Sequence, residues 1–388
     1  MSWEISIGWG TMNTSNWEDR PELGGDGSHE AAEPGYWSGS SDYDPETVRF
    51  FDVAHEGAQV RVLSGATSAL ESLLFGATPR AVVLLPTDAV ARACAQCVAD
   101  QQTGVPVVVT QQLPAFVGAL DTVVVLGERG SCDWASQALL TAARRGAQTV
   151  YLGPARGPLA EDARDAEGTL IIEALPTAEG TSPARYIAGL EAIFHAFHQP
   201  ATVTTEYLVG LADELDQELE MLSPERDAAV NPARALRNAV EGTHVIHTGG
   251  AVAQVAAALW AAGGLGGTYV EPELVPSVLE RRAAESTGQG ADRADPFYDP
   301  FLDGPPMVLS KVLIWDGAPE SPQGLAGAPS QDYPMASVEE PDSAEYSGSS
   351  ASTTPPTYIA VTASTAAAHP LQLLVRALAA TAFHASEH

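Results

Sequence analysis

Lysine is almost missing from this chain: Lys311 is the only one, and arginine supplies every other cation. Set against 50 Asp and Glu, the 19 Lys and Arg leave a formal net charge of -31. A surface so poor in positive charge repels phosphate backbones and anionic headgroups, which excludes nucleic acid and membrane surfaces as partners. An anionic ligand would need a local pocket of backbone N–H groups, hydroxyls or arginines, because the global field opposes it. Cysteine is scarce as well, and three cysteines in 388 residues make no disulfide framework. No run reaches the ~18 consecutive apolar residues of a membrane span. The start, Met1-Ser2-Trp3-Glu4, has neither the basic stretch nor the apolar core of a secretion signal, so a cytoplasmic location is the expectation.

Several catalytic motifs are absent. No G-x-G-x-x-G follows the first strand, there is no P-loop, and Ser64 and Ser68 beside Gly65 form no nucleophile elbow. No cofactor is expected. Cys94-Ala95-Gln96-Cys97 has redox spacing, but it lies mid-helix among alanines with nothing basic to activate a thiol. Two small buried hydrophobes on one helical face is the reading preferred. Zinc would want four ligands and no second pair exists, so no metal is expected either.

What is present is an apolar alternation. With 45% hydrophobic residues in 388, the chain can bury more than one core. Residues 1–43 are acidic and rich in Gly and Ser, with Trp3, Trp9, Trp17 and Trp37, and read as a partly disordered segment. From Asp44 a helical pattern runs towards Ala69. Short apolar runs at 81–85, 105–110, 121–126, 147–152 and 169–174 then alternate with helical stretches at 88–102, 133–145 and 182–198. Such alternation predicts an α/β fold, a parallel sheet covered on both faces. A first α/β domain over 44–200 and a connecting helix within 201–230 follow. A second α/β domain over 231–388 has strands at 243–247, 267–270, 307–315 and 358–362 and a closing helix at 370–386. Pro, Gly, Ser and acids fill stretches near 284–306 and 317–356, read as mobile insertions.

Ligands of parallel sheets bind beyond the carboxyl ends of the strands. The loop Gly127-Glu128-Arg129-Gly130-Ser131-Cys132-Asp133 sits there, ahead of a helix N-terminus whose free N–H groups suit an anion. Gly127 and Gly130 would let backbone approach a ligand, Ser131 offers a hydroxyl and Arg129 a bidentate fork. Asp133 is expected to cap the helix, and the alternative reading of the loop is an ordinary strand-to-helix turn. Cys132 is the more plausible reactive thiol. His195 and His198 read as helix-end cations. His244 and His247 point to opposite faces of one strand. His247 ends that strand and Glu271 and Glu273 follow the next, so a His247–Glu273 pair could move a proton between neighbouring carbons of a ligand; a capped surface turn is the alternative.

The order of these features resembles sugar isomerase (SIS) domains. Val105-Pro106-Val107-Val108-Val109, Leu113-Pro114-Ala115-Phe116-Val117, the strand 121–126 with its loop, and Arg145-Gly146-Ala147 run in the family's order. More narrowly they resemble the bifunctional phosphoglucose/phosphomannose isomerases, as do Pro158-Leu159-Ala160, Ser182-Pro183-Ala184-Arg185-Tyr186, Asn231-Pro232-Ala233-Arg234 and Pro272-Glu273-Leu274. Ala58-Gln59-Val60-Arg61 is similar to an actinobacterial, TobH-like branch. The match spans roughly 44–280. It implies two SIS-like domains and a homodimer. It also implies a hexose phosphate held by Gly127, Arg129, Gly130, Ser131 and Arg185.

Departures from the family are equally specific. Its Ser-x-Ser-Gly-Asn-Thr-x-Glu loop falls on Gly127, Arg129, Gly130, Ser131, Cys132 and Trp134, keeping only Gly130. Leu85-Pro86-Thr87-Asp88 lacks the family's glycines, Gly263–Gly267 has no catalytic acid, and the catalytic His falls near Pro276. Three readings follow, the least favoured a purely structural partner with no ligand. One is a phosphosugar-binding pseudo-isomerase or regulatory partner of an enzyme. Another is an active aldose–ketose isomerase with chemistry moved to His247 and Glu273.

Overall fold

The computed structural model describes residues 44–76, 78–102, 104–177, 180–288, 310–315, 357–361 and 369–384. The acidic segment 1–43, its four tryptophans, and nearly all of the stretches 284–306 and 317–356 lie outside the described residues. Among the described residues no helix is long and apolar enough to cross a membrane.

Asp44 caps the first helix, accepting from the N–H groups of Glu46 and Thr47, and Pro45 stands at its first position. The helical pattern expected to run unbroken to Ala69 is instead three helices: α1 (Pro45–Val53), α2 (Glu56–Leu63) and α3 (Thr67–Leu74). The second break has a local cause. Ser64 Oγ donates to the Arg61 carbonyl at 2.7 Å and Thr67 Oγ1 to the Ser64 carbonyl at 2.9 Å, and Ser64–Ala66 form a 3-10 turn. Short hydroxyl side chains compete in this way with helix bonding.

Five parallel strands follow: β1 (Ala81–Pro86), β2 (Val107–Val109), β3 (Asp121–Leu126), β4 (Gln148–Gly153) and β5 (Thr169–Glu173), in the order β2-β1-β3-β4-β5. Between them run α4 (Ala89–Gln101), α5 (Asp133–Arg144) and α6 (Pro158–Asp165). Every residue of β1 and β3 is buried, as continuous apolar runs in a doubly covered sheet require. Their side chains alternate. Val83, Leu85, Val123, Val125 and Tyr151 pack with Ala135, Leu139 and Leu159 of α5 and α6, whereas Val82, Leu84, Val124 and Leu152 join the main core.

That main core continues into the second half. After α7 (Pro183–Ala196), the long α8 (Ala201–Leu222) and α9 (Pro232–Ala239) come β6 (His244–Thr248), α10 (Ala251–Ala262), β7 (Thr268–Tyr269), α11 (Val275–Gly288), β8 (Ser310–Ile314), β9 (Thr357–Ala360) and α12 (Pro370–Ala382). The second sheet is also parallel, in the order β7-β6-β8-β9. Numbered within each half, both sheets begin 2-1-3-4. The helices that follow the first strand of each, α4 and α10, pack on one another. Both are rich in alanine, which lets their backbones approach closely. Cys94 and Cys97 lie on the buried face of α4, and burial pushes the Cys97 thiol up to about 11 and Cys94 well above its ordinary value, so both act as hydrophobes. An Arg376–Glu218 ion pair at 2.6 Å joins α12 to α8 within this core.

Candidate functional site

The strand order β2-β1-β3-β4-β5 reverses direction between β1 and β3, the point where doubly wound sheets usually bind ligands. Here that crevice is filled by the protein. Gly127 adopts φ +130°, and a Cβ on it would lie 2.2 Å from Thr87 Oγ1 and 2.5 Å from Asp88 Oδ2. Asp88 closes the gap from the other side: one carboxylate oxygen caps α4 at Ala91 N–H (2.8 Å), and the other accepts from Glu128 N–H (2.9 Å). Gly127 therefore serves close packing of two loops, and the left-handed backbone there explains why it is glycine. Gly130 has a similar role one loop further on. Leu159 N–H donates to its carbonyl at 3.0 Å, and a Cβ on Gly157 would lie 2.8 Å from the same oxygen.

The loop's outer face is different. Arg129, Ser131 and Asp133 are exposed, and the N–H groups of Arg129, Gly130, Ser131 and Cys132 make no hydrogen bond among the described residues. Cys132, not Asp133, is the N-cap of α5; no side chain caps that helix, and Asp133 is its first residue. Asp133 already has helical geometry, so its carboxylate is one position too late to accept from the first turn. Arg156 stands exposed on the adjoining β4–α6 loop, whose backbone touches Gly130, and neither it nor Arg129 has an ion-pair partner among the described residues. Arg156 escaped sequence reasoning. The signal available was Gly157, a glycine directly after it at φ +109°, marking a close approach of the two loops. A cleft of about 290 Å³ opens along the flank of α5, between Gln111–Leu113 and the helix face that carries Trp134, Gln137 and Thr141, as far as Arg145.

Arg185 lies elsewhere. It is fully buried beneath the loop, in the first turn of α7. Its Nη2 donates to the Gly153 carbonyl (2.8 Å) and the Ile172 carbonyl (2.7 Å), at the carboxyl ends of β4 and β5. Around it sit two acids that sequence reasoning did not connect to it. Glu128 turns inward, its Oε1 accepting from Tyr186 Oη at 2.8 Å and standing 3.8 Å from Arg185 Nη1. Glu56 of α2 accepts from Ala184 N–H at 2.9 Å and from the Ser182 hydroxyl. Burial pushes the Glu56 carboxyl up to about 8, against the pull of these bonds, so it is protonated at neutral pH. Burial also raises Glu128, opposed by the Tyr186 bond and Arg185, and burial lowers Arg185.

His247 and Glu273 are not brought together. His247 is fully buried on the core face of β6, between the rings of Trp260 (4.7 Å, edge-on) and Trp315 (5.8 Å, stacked). Trp315 Nε1 donates to its Nδ1 at 3.0 Å, which places the neutral ring's proton on Nε2. Nε2 faces Gly267, where a Cβ would stand 2.5 Å away, and has no hydrogen-bond partner among the described residues. Burial pulls the imidazole down to about 4. Glu273 is exposed on the 3-10 turn Pro272–Leu274, and no hydrogen bond or ion pair joins it to His247. His195, expected to be a helix-end cation, is instead half-buried edge-on against Tyr207, and burial lowers its pKa and favours the neutral form.

No known family model matches this chain, and no curated protein matches it in sequence. Solved structures do. The chain is similar to the C-terminal domain of glucosamine-fructose-6-phosphate aminotransferase from Francisella tularensis, at 10% identity over 88% of this chain and 96% of that one, with a TM-score of 0.50. It is similar to a protein assigned as a tagatose-6-phosphate ketose/aldose isomerase from Clostridium novyi NT, at 9% identity over 86% and 87% of the two chains, with a TM-score of 0.52. At such identities the likeness speaks for the fold. The fold is the tandem SIS fold: α/β, two parallel sheets, each flanked by helices.

Proposed function

We propose that this protein binds a sugar phosphate, a hexose phosphate in the first instance, at the outer face of the Gly127–Asp133 loop, and that it binds without isomerising. One observation carries the reading. At the carboxyl end of β3, unpaired backbone N–H groups and the N-terminus of α5 adjoin two unpaired arginines, Arg129 and Arg156, on touching loops. Free N–H groups, a positive helix end and guanidinium forks are what a phosphate monoester takes. Trp134, directly after the loop, and Gln137, Gln111 and Gln112 in the cleft along α5 offer an indole and carboxamides for sugar hydroxyls. Phosphosugar enzymes among the similar structures agree with this ligand class. Gly127, Gly130 and Arg185 then hold the loop rather than touch the ligand, and Arg129 and Ser131 face it.

Aldose–ketose isomerisation needs a base within reach of a sugar carbon. His247 is enclosed by two tryptophans and Glu273 lies on the surface, so the geometry favours the pseudo-isomerase over an active enzyme built on that pair. A binding protein of this kind would act through a partner enzyme, as a homodimer in keeping with the SIS resemblance. Glucose, fructose and mannose 6-phosphates titrated calorimetrically should bind the wild type. Arg129→Ala and Arg156→Ala should each weaken binding about 5- to 30-fold, the loss of ~1–2 kcal/mol from one charge-assisted contact in water. Equal affinity in wild type and both variants refutes the site. Interconversion of the three sugars followed by NMR, lost in His247→Ala, refutes the pseudo-isomerase reading.

A further inference from the structure

A buried cation with unused donors is costly, and Arg185 is one. Its Nη2 is engaged by two carbonyls, but Nε and Nη1 have no hydrogen-bond partner among the described residues. Its nearest acid oxygen, Glu128 Oε1, stands at 3.8 Å, well beyond the ~2.7–2.9 Å of a charge-assisted bond. The other nearby acid, Glu56, has its oxygens on the Ala184 N–H and the Ser182 hydroxyl and is neutral near pH 7. Glu128 is thus the carboxylate that balances Arg185. It is also the exposed member of the pair: its side chain is 22% exposed against 1% for Arg185. Its backbone is held separately, by the Glu128 N–H bond to Asp88, so the side chain can be removed while the loop remains anchored.

We propose that Glu128 is a tethered stand-in for a ligand: its carboxylate fills a slot for one small oxyanion, built from Arg185 and Tyr186 beneath the loop, and shuts that slot to free anions. The Tyr186 hydroxyl supplies the hydrogen bond and the Arg185 guanidinium the charge. Removing the carboxylate leaves a buried cation unpaired, a state proteins tolerate poorly, and opens a carboxylate-sized space towards solvent at the position Glu128 now covers. A free carboxylate or phosphate can then take its place. The inner face of the loop carries this slot and the outer face the sugar-phosphate reading, so the two stand or fall separately.

Glu128→Ala is the test, melted in matched ionic strength of chloride, acetate, formate or inorganic phosphate at tens of millimolar. In chloride the variant should melt below wild type. Acetate and formate should raise its melting temperature by several degrees, as ligands of the native state do, and leave wild type unmoved. Phosphate shifting it further than acetate does, by more than phosphate shifts wild type, would assign the slot to tetrahedral anions, and acetate alone to planar ones. Glu128→Gln, which refills the space without charge, should not respond to acetate. The double variant Glu128→Ala/Arg185→Met removes the unpaired cation together with its bonds to the Gly153 and Ile172 carbonyls; it should no longer respond to acetate or formate, and it supplies the comparison if the single variant does not fold in chloride. Equal response of wild type and Glu128→Ala to acetate, or a double variant that responds to acetate as the single one does, overturns the proposal. Hexose phosphate failing to bind wild type would sink the sugar-phosphate reading and leave the acetate result standing.

Discussion

At the scale of single residues, the cluster under the loop sets a pH dependence. Glu56 is protonated in the folded protein up to about 8, whereas its ordinary value is 4.5. Between those values the unfolded chain releases the proton and the native state keeps it. The stability this group contributes is therefore complete below 4.5 and is lost as pH rises through about 8. Glu56→Gln keeps the shape and removes the titration. Urea unfolding of wild type should give a free energy that falls across that window, and the variant a flatter profile; parallel profiles would show that Glu56 does not titrate there. Little of this was legible beforehand. Arg185 and Gly127 could be singled out because they stand in a recognisable order along the chain, but their roles could not. Glu128 stands in the sequence as one more residue of the ligand loop. Its inward turn depends on Tyr186, 58 residues further on, and Glu56 meets Ala184 across 128 residues. Partners so distant leave no local pattern. Arg129 and Ser131 need only their own loop to be exposed.

At the scale of elements, continuous apolar runs marked β1, β3 and β4 to within a residue or so, because a strand buried on both faces has no polar positions to blur it. Short or polar elements were harder. Pro158–Asp165 is eight residues with three acids, and its helical character rests on Leu159, Ala160 and Ala163 reaching the sheet. The break at Ser64 depends on hydroxyls choosing backbone carbonyls over solvent. The start of α5 is the instructive case. A sequence ending Cys132-Asp133 ahead of an apolar periodicity suggests an Asp cap, yet the chain enters the helix one residue earlier and leaves Cys132 at the N-cap, without a side-chain bond to the first turn. Cys132→Ser supplies the missing acceptor and should stabilise the protein by about 0.5–1 kcal/mol. The urea midpoint should rise at unchanged slope; a lower midpoint would mean that the Cys132 side chain packs better than a hydroxyl can cap.

At the scale of the whole molecule, the sequence suggests two α/β units in series, and the structure adds what lies between the sheets. Both sheets give one face to the same apolar core, which runs from Val82 and Leu84 through α4, α7 and α8 to Trp260, Leu313 and α12. The α4–α10 contact joins the helix after the first strand of one half to its counterpart in the other, and Arg376–Glu218 buries an ion pair in the same layer. Cores joined in this way should open together rather than half by half. Leu259→Ala tests it, since Leu259 is buried in α10, in the second half, and its truncation should cost about 2–5 kcal/mol. Native-state hydrogen exchange reads each strand separately. If the core is one cooperative unit, the amides of β1 and β3 in the first sheet lose as much protection as those of β6 and β8 in the second. Protection lost in β6 and β8 alone would mean that the halves unfold independently, and that the shared core is a contact between two stable bodies.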